Sequence, residues 1–324
     1  IVRGHKLQLN REVAAQAVRQ AESLYAAQEQ RVLTDVRLGY YDVLVAQRRI
    51  QTTERLVEIA EKALEITESL LAAREGRQVD VDRARIELQR TRLMHTNAGN
   101  DYQAAWSRLA AVLGVRCYDP VPLEDTLESI ATDIDPCSTL EEIFQRSPEL
   151  AAAFAQVDQA RWAIDRAHAE PIPNINVQMV GQSDNGTNST NANLQVTMPI
   201  PWHDRNQGGI SAAQAELFAA ENAIGRMQLH LQRRFASAYQ RYANAKNQVH
   251  QFKRPQGILE NTQSALALVQ SGFEAGEIAY LDLITAQRTY SQANLEYIEA
   301  LGELWSAVAE IEGLLLKDSL AAAP

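Results

Sequence analysis

The first residues to question about chemistry are the six histidines, His5, His95, His168, His203, His230 and His250, because imidazole binds metals and moves protons near neutral pH. None has the i, i+4 spacing or the His-Glu-x-x-His pattern that places two ligands on one ion, so neither a catalytic nor a structural metal site is expected. The two cysteines, Cys117 and Cys137, lack Cys-x-x-Cys spacing. They share a turn-rich segment and form either one disulfide in an oxidising compartment or two free thiols. Gly208-Gly209 precedes a helix without the strand and glycine spacing of a nucleotide fold, and reads as a tight turn. No Gly-x-Ser-x-Gly elbow and no cysteine with a placed histidine supports nucleophilic catalysis. The chain is expected to be no enzyme and to need no cofactor. Two acids have more to offer. Asp80 and Asp282 each open a helix, where a carboxylate complements the positive dipole end.

The elements that position these residues are long. In 324 residues there are only 15 Gly, 10 Pro and 6% aromatics, so turns are few. Lys plus Arg number 31 against 41 Asp plus Glu, a formal charge of −10, which gives no electrostatic reason to bind nucleic acid. No uncharged apolar run approaches the roughly 18–20 residues of a membrane-spanning helix, and the mean hydropathy is −0.29. Residues 1–4 carry neither an initiator Met nor an apolar signal region, as in a processed piece of a longer protein.

Before Pro120 there is no proline, and apolar residues from about 7 to 73 keep helical spacing with Gly39 as the one weak point. This predicts a single helix on the order of 100 Å long. Val18, Tyr25, Val32, Gly39 and Ala46 recur every seven residues, the mark of a helix packed along its length against its own chain or another copy. Around 73–82 the chain reverses, with Gly76 expected in the left-handed conformation that ends a helix. A return helix over about 79–113 carries Leu88, His95, Tyr102 and Leu109 on one stripe and Ala84, Thr91, Ala98, Ala105 and Val112 on the next, closed by Gly114. His95 is then an interface residue, and Tyr239, Tyr242, Tyr280, Tyr290 and Tyr297 are helix packing.

Pro120, Pro122 and Pro136 mark a connector. Ser138-Thr-Leu-Glu141 has capping-box spacing, and Ser147-Pro148 starts a further helix. After Pro171-Ile-Pro173 the period becomes two. Ile175, Val177 and Met179 alternate with amides, as do Leu194, Val196, Met198 and Ile200, and the polar stretch 181–191 between them reads as a solvated hairpin tip. Helix resumes at about 209, with Asp204 and Asn206 as candidate caps.

A shift of 199 residues carries Val18, Tyr25, Val32, Gly39 and Ala46 onto Leu217, Ile224, Leu231, Ala238 and Ala245. From about residue 63 the shift is 202, so that Leu88, His95, Tyr102 and Leu109 fall on Tyr290, Tyr297, Leu304 and Ile311. The change falls near Lys253-Arg-Pro255, where a proline and three added residues should disturb or kink the second long helix. The chain is a duplication of long helix, reversal and return helix, each unit preceded by a strand hairpin, the first of which would lie before Ile1. Apolar-out, amide-in strands suit a membrane β-barrel, which two strands cannot close alone.

Duplicated helical hairpins joined to a β-hairpin, together with Arg146-Ser-Pro148-Glu-Leu150, the Pro-Ile-Pro flanks and the reversal Gly276-Glu-Ile-Ala-Tyr-Leu-Asp-Leu-Ile-Thr-Ala286, resemble the outer-membrane efflux (TolC) family. The segment 198–210 looks most like the CzcC-type branch, associated with cobalt, zinc and cadmium efflux. The fold implied is mainly α, with duplicated antiparallel helical hairpins forming a trimeric α-barrel and the β-hairpin joining a trimeric outer-membrane barrel. On this resemblance residues 1–115 and 202–316 are the periplasmic helical hairpins, 116–170 a connector with short equatorial helices, 171–201 the barrel strands and 317–324 a tail. The implied function is a passive conduit, a homotrimer in outer-membrane lipid. A periplasmic adaptor would dock at the helix tips, around Arg74, Gly76, Val79, Gly276, Glu277 and Leu281, and link the tube to an inner-membrane pump of the resistance-nodulation-division type. Asp80, Asp282 and Thr285 fall at the family's periplasmic gate. A gate acid is replaced by Thr285 and a gate Arg by Ile278, so the family's latch is not reproduced. Family members carry a signal peptide and often a lipid-modified N-terminal Cys, for which neither Cys117 nor Cys137 is a candidate. The competing reading is a soluble coiled-coil scaffold or adaptor with no transport role. Against it stands the continuous uncharged face of Leu194, Val196, Met198 and Ile200.

Overall fold

The computed structural model describes residues 1–116, 119–125, 127, 133–184, 186 and 189–321. Within them the order is α1 (Lys6–Ala72), α2 (Gln78–Val112), α3 (Pro136–Arg146), α4 (Pro148–Ala169), β1 (Asn176–Asp184), β2 (Ser189–Thr197), α5 (Gln207–Lys253), α6 (Ile258–Glu274) and α7 (Tyr280–Glu312). The chain forms two compact units, one from residues 1–28 and 140–233, the other from 29–139 and 234–324, so that α1 and α5 each contribute to both.

In the first unit α4 packs its Ala-rich face on α5, with Val157, Ala160 and Ala220 buried and Leu217 and Ile224 against them. Ser147 caps α4 by accepting a hydrogen bond from Leu150 N, with Pro148 at the first position as its fixed φ favours. The capping box at Ser138 is not used. Helix α3 begins earlier, at Pro136, and the cap is Asp135, whose Oδ2 accepts from Ser138 N at 2.8 Å and from the Ser138 hydroxyl at 2.7 Å. A charged carboxylate outcompetes the hydroxyl for the free N–H groups. At the start of α5 the expected caps also serve otherwise: Asp204 accepts from Asn206 N, and Asn206, at φ 59°, donates its side-chain amide to Ala167 O.

The hairpin is longer than its alternation implied. Backbone pairing runs from Asn176↔Thr197 to Asp184↔Ser189, so 181–184 and 189–191, read as tip from their turn-forming residues, belong to the ladder and only 185–188 lie between the strands. Backbone hydrogen bonds are indifferent to side-chain polarity, and a ladder once begun extends through Ser, Thr and Gln. The register sorts the faces. Val177↔Val196, Met179↔Leu194 and Gly181↔Ala192 share one, while Gln178↔Gln195, Val180↔Asn193 and Gln182↔Asn191 share the other. The free edge of β1 is met at its foot by the first residue, as Ile1 and Ile175 exchange backbone hydrogen bonds, with Ile175 N to Ile1 O at 3.0 Å.

In the second unit the heptads do as expected where they meet a partner helix. The small residues Ala84, Thr91, Ala98 and Ala105 are the buried stripe of α2, and Gly39 leaves room for Leu109, whose Cδ1 would lie 3.1 Å from a Cβ there. Gly114, at φ 72°, closes α2. Val43, Ala46, Ala105, Trp106 and Leu109 form one core cluster, and Leu44, Phe252, Ala293, Tyr297 and Leu301 another. Of the same heptad in α1, Val32 of this unit and Val18 and Tyr25 of the first unit are exposed within the chain. His95 is an interface residue, its Nδ1 3.1 Å from the Thr53 hydroxyl. Near Pro255 the second long helix does more than kink: α5 stops at Lys253 and α6 restarts at Ile258, with Gln256 at φ 54° between them. The connector is tied down by side chains that replace the backbone partners a loop lacks. The Gln47 amide bonds both N and O of Leu123 at 2.9 Å, Trp305 Nε1 donates to Leu127 O, and the Tyr242 hydroxyl accepts from Ile134 N. Cys137 is exposed at the start of α3, and Cys117 lies outside the described residues, as does any pairing between them.

Candidate functional site

The two helix reversals are built alike from unlike residues. At the end of α1, Glu75 N donates to Leu70 O and Arg74 N to Leu71 O; at the end of α6, Glu277 N donates to Gly272 O and Gly276 N to Phe273 O. Each is a Schellman-type stop that needs one residue at positive φ. That residue is Gly276, at φ 74°, in the second repeat, but Arg74, at φ 65°, in the first. Gly76 is therefore not the left-handed residue. It serves closeness instead, since a Cβ there would stand 2.9 Å from Leu71 N. The 202-residue shift pairs Arg74 with Gly276 and Gly76 with Ile278, so the repeat points to the left-handed position that a search for glycine misses.

The two reversals lie side by side in the second unit and enclose a cleft of about 500 Å³, lined by Gly76, Arg77 and Asp80 from one and by Phe273, Gly276 and Tyr280 from the other, among others. Asp80 and Asp282, counterparts in the repeat, have different surroundings. Asp80 is buried and ion-paired within its own turn, to Arg77 Nε at 3.1 Å and Arg83 Nη1 at 3.7 Å. Asp282 is exposed in the first turn of α7. Thr285 is exposed and its hydroxyl donates back to Leu281 O at 2.7 Å. Arg74, Val79, Glu277 and Leu281 are exposed at the tips, which leaves both apolar and charged groups available for a docking partner.

Two features at this end gave little sign in the sequence. The ring of Tyr280 packs edge-on against Phe273, as expected of a packing tyrosine, but its hydroxyl is buried with no hydrogen-bond partner among the described residues. Burial pushes that hydroxyl up to about 12, and the carboxylates of Glu87 and Asp80 add to the shift. Arg288 of α7 reaches Glu87 of α2 at 2.7 Å and 3.2 Å, an ion pair linking the two repeats. The arrangement holds no nucleophile beside a base, and among the described residues no group of three His, Cys, Asp or Glu is placed to hold a metal ion. No helix of the described residues is long and apolar enough to cross a membrane. What the geometry offers is a pair of adjacent helix reversals with an exposed carboxylate and, in the other unit, a sheet with apolar side chains on one face and amides, together with Val180, on the other.

A family model described as outer membrane efflux protein matches residues 1–115 and 139–315. The chain belongs to this family. Among its relatives, the cobalt-zinc-cadmium resistance protein CzcC of Cupriavidus metallidurans is 26% identical over 276 residues, which cover 85% of this chain. The chain spans 65% of that relative's length, just under two thirds. As an outer-membrane efflux protein the chain shares its fold with solved channels. CusC superposes with a TM-score of 0.83 at 18% identity, over 96% of this chain and 74% of that one. The MtrE outer membrane channel of Neisseria gonorrhoeae gives 0.73 at 18% identity, over 97% and 72%. The mainly α, duplicated-hairpin architecture with its β-hairpin is thus the fold of the efflux family, whose members are conduits rather than enzymes.

Proposed function

We propose that this chain is the outer-membrane conduit of a tripartite efflux machine. It acts as a homotrimer whose hairpins, residues 171–201, stand in outer-membrane lipid and whose helical hairpins, 1–115 and 202–316, continue the passage through the periplasm. The observation that carries this reading is the hairpin with Val177, Met179, Leu194 and Val196 on one face and amides on the other, where Val180 is the one large apolar side chain among the described residues, and with the strands' described side chains exposed on both faces. A soluble scaffold gains nothing from such a surface, whereas lipid on one side and water on the other require it. At the other end the exposed tips, Arg74, Val79, Gly276, Glu277 and Leu281 with Gly76 behind them, dock a periplasmic adaptor that couples the tube to an inner-membrane pump of the resistance-nodulation-division type. Of the three gate candidates, Asp282 is the one whose exposed carboxylate supplies a ring of three in a trimer; Thr285 flanks it, and Asp80 is tied to its arginines. Divalent heavy-metal cations are the proposed cargo, supported by the likeness to CzcC.

Light scattering combined with small-angle scattering on the full-length protein in detergent tests the assembly. The expected result is three chain masses with a maximum dimension beyond roughly 100 Å. A compact monomer that stays soluble without detergent would overturn the conduit reading.

A further inference from the structure

We propose that the cavity between α1, α2 and α7 binds an organic ammonium ion with an apolar body and a neutral hydrogen-bonding group at its other end. All of its walls belong to the second unit, and the site does not rest on the conduit reading.

The cavity has a volume of about 390 Å³, within the range of small-molecule sites. Its apolar wall is Leu56, Ile59 and Ala60 of α1, Met94 of α2 and Leu295 of α7. On α7, Gln287, Ser291 and Leu295 recur every four residues and line it as one stripe. Gln287 is 8% exposed, yet its amide has no hydrogen-bond partner among the described residues. The Ser291 hydroxyl has none either, although Thr285 and Thr289 of the same helix bond back to the carbonyl four residues earlier. Leaving a buried carboxamide unpaired is costly, and both groups open on the cavity, where a ligand's carbonyl or N–H can pair with them.

The charges at the two ends of this space differ in sign. At one end Glu87 is shared by Arg288 at 2.7 Å and Arg90 at 4.0 Å, two cations to one carboxylate. At the other, Arg49 is shared by Glu299 at 2.7 Å and Asp101 at 3.6 Å, and Glu296 has the Gln292 amide at 2.7 Å but no cation among the described residues. The free negative charge therefore lies at Glu296, and it selects a cationic head. A bare metal ion is poorly served there, since among the described residues no group of three His, Cys, Asp or Glu is placed to hold one. An ammonium needs a single carboxylate, and its carbon substituents cover the apolar wall. From Glu296 the Ser291 and Gln287 positions are five and nine residues back, roughly 7 and 13 Å along the helix. The ligand is thus two-ended, with its cation at Glu296 and its neutral polar group towards Ser291 and Gln287. Because α1 and α2 are the first repeat and α7 belongs to the second, such a ligand ties the repeats together, as the Arg288–Glu87 pair does.

Procainamide serves as the probe, a tertiary ammonium joined through two carbons to an aromatic amide. Its uncharged analogue carries a 3-ethylpentyl group in place of the diethylaminoethyl group. Each is titrated into the full-length protein in detergent by calorimetry, with free probe corrected by dialysis against micelles alone. Procainamide is expected to bind saturably, once per chain, and about tenfold more tightly than the analogue. Glu296→Gln is expected to remove that difference, whereas Glu22→Gln, an exposed acid of the other unit, leaves it in place. Gln287→Leu is expected to weaken both probes severalfold while the melting temperature of the ligand-free protein does not fall. Equal affinity for the two probes, no saturation below about 10 mM, a charge preference that survives Glu296→Gln, or affinities unchanged in Gln287→Leu overturns this inference.

Discussion

Arg74 holds a backbone conformation that costs an L-residue with a Cβ about 1–2 kcal/mol, and its repeat counterpart is a glycine that adopts it freely. Arg74→Gly is therefore expected to raise stability by about 0.5–1 kcal/mol in urea unfolding, and Gly276→Ala to lower it by about 1 kcal/mol. Tyr280 presents the opposite case, a good backbone position with an unsatisfied side chain. Tyr280→Phe removes a buried hydroxyl that has no partner, and a gain of up to about 1 kcal/mol is expected for the isolated protein. The hydroxyl also sets a pH dependence. Its folded pKa of about 12 lies above the ordinary 10.0, so the folded state holds the proton longer. This contribution to stability is complete below pH 10 and is lost as pH rises towards 12. Thermal melts across that window should fall less steeply for Tyr280→Phe than for the parent; equal slopes would mean the hydroxyl is solvated.

The element that carries the functional reading is the hairpin, and its faces make opposite predictions. Leu194→Arg places a charge on the apolar face, where a cost of about 2–4 kcal/mol is expected at the bilayer midplane, whereas Gln195→Arg on the amide face should be nearly neutral. Denaturant unfolding in lipid vesicles measures the difference. This split was legible in the sequence because period-two alternation is the strongest local signal a strand has. The long helices were legible for the parallel reason, since 67 residues of α1 contain one glycine and no proline. What was not legible depends on competition or on contacts across the chain. Ser138 and Asp135 both cap well in isolation, and only the folded turn shows the carboxylate winning. Glycine frequency points to Gly76 as the left-handed residue, but the hydrogen-bond count of the turn selects Arg74. That Asp80 is buried follows from what its reversal packs against, which no window of sequence contains, whereas its arginines, Arg77 and Arg83, stand three residues to either side, where the second repeat has Ala279 and Thr285.

At the scale of the whole molecule the duplication has not produced two equal halves. One repeat keeps its first helix continuous for 67 residues, and the other divides it at Pro255 into pieces of 47 and 17. One opening aspartate is ion-paired and the other is exposed. A ring of three copies would then present three free carboxylates rather than six, and Asp282→Asn is expected to reduce the channel's preference for cations where Asp80→Asn changes it little. Single-channel reversal potentials in a salt gradient read this directly, and an unchanged Asp282→Asn would remove the ring. The reciprocal backbone bonds between Ile1 and Ile175 also bear on how the protein is made. Their partners are 174 residues apart, so closing that contact carries a large chain-entropy cost and comes late, after the intervening helices have shortened the path. The contact reaches only the foot, so the outer edge of β1 from Asn176 to Asp184 has no partner strand among the described residues, and until a further strand covers it the protein is exposed to aggregation.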